Sequence, residues 1–288
     1  MVGWAKEAPA AQIAVVLSGD HTPYQNMARD LTEHLSPLGH SLQTWQLDEF
    51  QQGGLTADAD LVVAIGTTAA SWLFRHLPQK TPMVYCLVTD PPFRIESRQV
   101  YGVVTEVPVR DQFKIIDEAL PDARKIGMLY REDAPDAKTR LQTLESQLPD
   151  GWALHAVAVD PGGSFAESLN QLFAGGIDMI WTEPDSQIYN WVSVRSLLLE
   201  ALRQRTPVYG FSANFVRSGA LMGAFIDLDK YTMQVIDLCK RVLRREVTSE
   251  DRRIRPIYRT AINPLVARKL AIQLPDEFLR QADTLSGS

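Results

Sequence analysis

The sequence predicts an α/β protein of two lobes, each built on a parallel sheet flanked by helices. Short β-branched runs alternate with longer amphipathic stretches over residues 12–104, and the same alternation starts again near residue 107. The length of 288 residues with 45% hydrophobic content suffices for two cores, since single domains commonly hold about 100–200 residues.

In the first half, Ile13–Leu17 (IAVVL), Leu61–Ile65 (LVVAI), Met83–Val88 (MVYCLV) and Val100–Thr105 read as buried strands. Each is too short for a buried helix and rich in Val and Ile. A helix over Tyr24–Leu35 separates the first two runs, and Ser41–Leu47 reads as a further strand after the Pro37-Leu38-Gly39 turn. Glycine there relieves the steric penalty of a left-handed helix end.

The second series opens with a helix over Val109–Leu120, stopped by Pro121, and the strand Lys125–Tyr130. Helix 136–148, strand 152–159, helix 165–174, strand Asp178–Trp181, helix 187–204 and strand Pro207–Phe211 complete it. Two such series form separate lobes, because right-handed βαβ units bury both faces of their strands. Residues 212–231 show no helical period and read as a return crossing into an amphipathic helix, Tyr231–Leu243. Arg252–Ile262 carries the chain back to helices over Pro264–Leu270 and 276–285. The expected lobes are therefore 12–106 with 226–258, and 107–225 with 259–285, joined by a three-strand hinge with a ligand cleft between them.

The formal net charge of −6 argues against nucleic acid as a partner, since such binders need basic patches that release counterions. No run approaches the roughly 18 apolar residues of a membrane helix, and MVGWAKEAPAAQ lacks the apolar segment of a signal peptide. That start reads either as a cytoplasmic N-terminus or as a trimmed precursor. Cys86 and Cys239 lie in apolar settings and read as reduced core cysteines. No metal motif appears among the cysteines or the five histidines.

In open parallel sheets, ligands collect beyond the carboxyl ends of strands, where helix-start amides point outward. Those ends carry Ser18 to Tyr24, then Gly66-Thr67-Thr68, then Thr89-Asp90 in the first half. Thr67 and Thr68 suit a ligand carboxylate, although a plain helix cap explains the same residues. Asp90 suits an ammonium or caps a turn. The second half offers Tyr130-Arg131, Thr182 to Ser186, and Phe211-Ser212 through Phe215. Asp185 or Glu183 can pair with an ammonium, while Tyr24, Trp181, Phe211 or Phe215 can cover an apolar moiety. Trp181 ends a core run and reads more readily as buried. Ser18, Asp20 and His21 make a poor hydrolytic set, because one short loop rarely orients a triad and no GxSxG elbow is present, so no enzyme is expected.

The segments LPDARKIGMLY, PVYG…VRSGAL and INPLVARKLAIQLPDEFLRQADTL resemble the ABC-transporter substrate-binding family that includes tryptophan- and tyrosine-import proteins. The likeness runs from the first strand to the last helix, carried by the order and spacing of short motifs. It implies a type I periplasmic-binding-protein fold, two Rossmann-like lobes joined by three strands and closing on a small molecule, without a cofactor. Carried over by position, the contacts become Ser18, Tyr24, Thr67, Thr68, Thr89, Asp90, Tyr130, Asp185, Phe211 and Ser212. The implied partners are a small organic ligand, an amino acid above all, and an ABC transporter permease. The implied setting is periplasmic or extracytoplasmic, as a monomer touching the membrane only through the permease or a removed anchor. The chain carries no lipoprotein cysteine or export signal, which members have before processing. The alternative within this fold is a periplasmic ligand-sensing subunit.

Overall fold

The computed structural model describes residues 10–54, 59–89, 91, 98–135, 137–160 and 162–284. In chain order the elements are β1 (Gln12–Leu17), α1 (Thr22–Leu35), β2 (Ser41–Gln46), α2 (Leu47–Glu49), β3 (Leu61–Ile65), α3 (Thr67–His76), β4 (Met83–Val88) and β5 (Val100–Val104). There follow α4 (Val109–Ala119), β6 (Lys125–Tyr130), α5 (Ala137–Glu145), β7 (Ala153–Ala158), α6 (Phe165–Ala174), β8 (Met179–Trp181), α7 (Trp191–Arg203) and β9 (Val208–Gly210). The last are α8 (Ala213–Ser218), β10 (Met222–Ile226), α9 (Leu228–Arg244), β11 (Tyr258–Ile262), α10 (Pro264–Leu270), α11 (Asp276–Gln281) and β12 (Asp283–Thr284). The chain divides into two compact units, Met1–Glu106 with Ile226–Ile257, and Val107–Phe225 with Tyr258–Ser288.

The first unit holds a sheet of order β2-β1-β3-β4-β5, parallel throughout. Both faces are covered, which is why β3 is buried at every position and reads as an unbroken apolar run. On one face α1 and α9 supply Leu31, Leu35, Val235, Leu238 and Cys239, packed on Val15, Val63 and Cys86. On the other, Ala70 and Leu73 of α3 pack with Phe50. Phe50 comes from a helical stretch, Leu47–Gly54, that the sequence reading did not anticipate. β4 carries one extra residue relative to β5: Tyr85 pairs with Gly102 and Val88 with Val104, and between them Leu87 adopts φ 52°. Cys86 and Cys239 are both buried free thiols.

The second unit holds a seven-stranded sheet of order β12-β11-β10-β9-β8-β6-β7. The pairs β6/β7, β6/β8, β8/β9, β9/β10 and β11/β12 are parallel. Phe113, Ile116 and Trp181 anchor one core, Leu172, Leu197 and Phe215 the other.

Several expected elements differ here. The helix expected over 187–204 starts at Trp191, where the Asn190 side chain accepts from the Val192 and Ser193 amides (3.0 and 3.1 Å). Residues 212–226, expected as an unpatterned crossing, contain α8 and β10. β10 is possible because Gly223 lets two backbones meet: a Cβ there would lie 2.0 Å from the Gly210 carbonyl oxygen. The run 252–262 is not one continuous strand. Ser249–Arg253 forms a 3-10 turn, Ile254 bridges to Val103, and β11 begins only after Pro256. The last helix stops at Gln281 because Asp283 and Thr284 pair with β11, with Asp283 2.6 Å from Arg259.

Candidate ligand-binding site

In the first unit, the C-terminal ends of β1 and β3 are tied together. The Ser18 amide donates to the Ile65 carbonyl (2.9 Å), and the Ser18 hydroxyl accepts from the Ala69 amide (2.8 Å). Ser18 therefore fills the capping role at the start of α3. Thr67 and Thr68, both exposed, occupy the first two helical positions and provide no capping bond. Gly66 has φ 89°, and a Cβ on it would lie 2.6 Å from the Ser18 hydroxyl and 2.8 Å from that of Tyr24. Ser18, Gly66 and Tyr24 thus converge on one point. Tyr24, half-buried in the first turn of α1, also meets the His21 ring edge-on at 5.5 Å.

Ser18 also lines a solvent-open pocket of about 590 Å³ together with Gly19, Asp20, Gln46, Leu47, Asp48 and Gln51. Sequence reasoning missed the residues after β2. The available signal was position, since β2 ends at the same sheet edge as β1. Asp20 bonds the Gln25 side chain. Thr89 is exposed, its hydroxyl 3.3 Å from that of Thr105; Asp90 lies outside the described residues.

In the second unit, Tyr130 ends β6 half-buried against the core. Arg131, next along, donates to Asp185 Oδ2 (3.0 Å) and Gln187 Oε1 (2.7 Å). The other Asp185 oxygen accepts from the Gln187 and Ile188 amides (2.9 and 3.3 Å). Burial pushes the Asp185 carboxyl up, but the Gln187 amide, Arg131 and the Ile188 amide outweigh it and hold the group below the usual carboxylate range. Glu183 goes the other way. Burial raises its carboxyl above the ordinary value despite the Arg140 guanidinium at 2.7 Å, and the Asp185 charge adds to the rise.

Ser212 caps α8, its hydroxyl accepting from the Phe215 amide (3.2 Å). Phe211, half-buried, packs at 5.2 Å from Phe215 and 5.8 Å from Tyr189, centroid to centroid. The Tyr189 hydroxyl is buried without a hydrogen-bond partner among the described residues. Trp181 is 2% exposed and donates to Gln112 Oε1 (2.9 Å), which places it in the core. These groups are equipped for hydrogen bonding, charge pairing and aromatic packing. Among the described residues no group of three or more His, Cys, Asp or Glu side chains is placed to hold a metal ion, and no helix is long and apolar enough to cross a membrane.

Two parallel-sheet α/β units of this kind define the type I periplasmic-binding-protein fold, and solved structures match it along almost the whole chain. A ligand-free, open substrate-binding protein with adhesive properties from Clostridium difficile superposes with a TM-score of 0.72 at 16% identity, covering 97% of this chain and 100% of its own. A Streptococcus pneumoniae ABC domain in complex with L-Trp gives 0.62 at 20% identity, and a conserved domain protein from Vibrio cholerae gives 0.63 at 20%. Each of these covers 96% of this chain and 99% of its own. The chain belongs to the ABC transporter substrate binding protein family, whose model matches residues 50–286. No curated protein sequence matches it.

Proposed function

We propose that this chain is the solute-binding component of an ABC importer and captures an amino acid, with an aromatic one the leading candidate. The observation that carries this reading is the convergence of Ser18, Gly66 and Tyr24 at the start of α3. There, helix-start amides and the Thr67 and Thr68 hydroxyls suit a carboxylate. In the second unit, Asp185 and Glu183 suit an ammonium, while Tyr130, Phe211 and the Ser212 hydroxyl suit the rest of the solute. Thr89, with Asp90 after it, completes the set on the first unit. A solute that binds one form of the protein better shifts the population toward it by its differential affinity, and the solute-loaded form is what the permease recognises, outside the cytoplasm.

A thermal-shift screen of purified protein against the amino acids and related metabolites tests this, because a solute that binds only the native state raises Tm. The expected result is a rise with an aromatic amino acid. A response to sugars alone would discard the amino-acid assignment and keep the family.

A further inference from the structure

The extra residue in β4 sits one position before Val88, the last residue of the strand, which Thr89 follows. Leu87 takes φ 52°, a left-handed conformation that non-glycine residues rarely adopt. Bulges re-aim the residues beside them, and strained backbone persists only where its surroundings over-determine it. Here that surrounding group is Tyr231 of α9. Its hydroxyl accepts from the Leu87 amide (2.7 Å) and donates to the Val103 carbonyl (2.8 Å), so the amide freed by the bulge is satisfied. Tyr231 is fully buried and its ring belongs to the core.

The Val103 carbonyl that this hydroxyl bonds lies on β5, after which the chain leaves the first unit. Val103 bridges to Ile254. One turn before Tyr231, the Asp227 amide donates to the Ile257 carbonyl (3.0 Å) and the Asp227 carbonyl accepts from the Tyr231 amide (2.8 Å). The chain passes to the other unit after Glu106 and Ile257 and returns at Ile226. The phenol itself connects the strand that leads to Thr89 with Val103, and the other two segments join it through the backbone bonds of Val103, Asp227 and the Tyr231 amide.

We infer that Tyr231 is a positioning residue for solute binding: its hydroxyl holds the Leu87 bulge and thereby aims Thr89. This rests on the proposal that Thr89 contacts the solute. A tyrosine that only filled the core would tolerate loss of its hydroxyl with no effect on binding beyond the change in stability.

The test combines Tyr231→Phe, the double variant Leu87→Gly/Tyr231→Phe, and amide hydrogen exchange. L-tryptophan is the probe, titrated calorimetrically. In the wild-type protein the Leu87 amide should exchange with the slowest class, and a fast Leu87 amide overturns the inference even if neither variant folds. Tyr231→Phe should speed exchange at Leu87 through Thr89 selectively and weaken L-tryptophan binding roughly tenfold, the scale of one buried hydrogen bond. The double variant should recover most of that affinity, since glycine adopts the left-handed conformation unaided. Affinity within about twofold of wild type in Tyr231→Phe, or an equal loss in both variants, overturns it. Should the wild-type protein bind neither L-tryptophan nor another aromatic amino acid, the aromatic-solute reading fails on its own. The inference is then decided by the Leu87 exchange rate and by whether Tyr231→Phe weakens roughly tenfold the affinity for the solute that the screen identifies, an unchanged affinity overturning it.

Discussion

Asp185 lies 3.0 Å from Arg131, carboxylate oxygen to guanidinium nitrogen, while its second oxygen closes a turn onto the Gln187 and Ile188 amides. Removing it therefore acts on the fold as well as on any solute. Asp185→Ala should cost about 1–2 kcal/mol in urea unfolding, and Asp185→Asn, which keeps the turn acceptor, clearly less. Because the folded pKa lies below the unfolded one, the carboxylate's contribution is present above the ordinary carboxyl value and is lost as pH falls through the folded value. The deficit of the alanine variant should accordingly be greatest near neutrality and shrink on acidification. Equal deficits at both ends of the titration would refute the pairing.

Glu183 reverses this sign. Its folded pKa is raised, so the wild-type protein is favoured while the group is neutral and loses that advantage as pH climbs through the folded value. Glutamine does not titrate. Melting temperatures of Glu183→Gln relative to wild type should move upward between about pH 4 and pH 7, and a flat difference would show that burial does not govern this carboxyl.

At Gly66 two constraints coincide, a φ of 89° and the close approach of the Ser18 and Tyr24 hydroxyls. Gly66→Ala should destabilise by roughly 2 kcal/mol or more and displace Tyr24, visible as altered tyrosine environment in near-ultraviolet circular dichroism. Ser18→Ala, which removes only the α3 cap, should cost about 1 kcal/mol and leave Tyr24 in place.

Burial pushes the Cys239 thiol up to about 12 and the Cys86 thiol well above its ordinary value. Thiolate is the reactive form. Neither cysteine should react with an aromatic disulfide reagent until the protein unfolds, and stoichiometric labelling of the native protein would contradict this packing.

The central strands were legible because parallel strands buried on both faces leave unbroken apolar runs such as IAVVL and LVVAI. β10 was not, since at Gly223 a close backbone approach takes the place of a branched side chain. β12, two residues long, is defined only by its register with β11. Among the described residues of its helical stretch Phe50 is the single deeply buried side chain, too little for a period. At the candidate site, position at a strand end identified the polar residues but not which of them are already bonded. Ser18 reaches Ala69 across 51 positions and Arg131 reaches Asp185 across 54, and no local pattern encodes pairings at that distance.

The first unit's core is assembled from two stretches of chain separated by Val107–Phe225. Tyr231, Val235, Leu238, Cys239 and Val242 cover one face of its sheet, and a ribosome reaches them only after that whole intervening segment has been made. A nascent chain ending at Glu106 consequently has α1 on that face but lacks the α9 side chains that complete its cover. The first unit therefore reaches its full core only after the segment that builds most of the second unit has been synthesised.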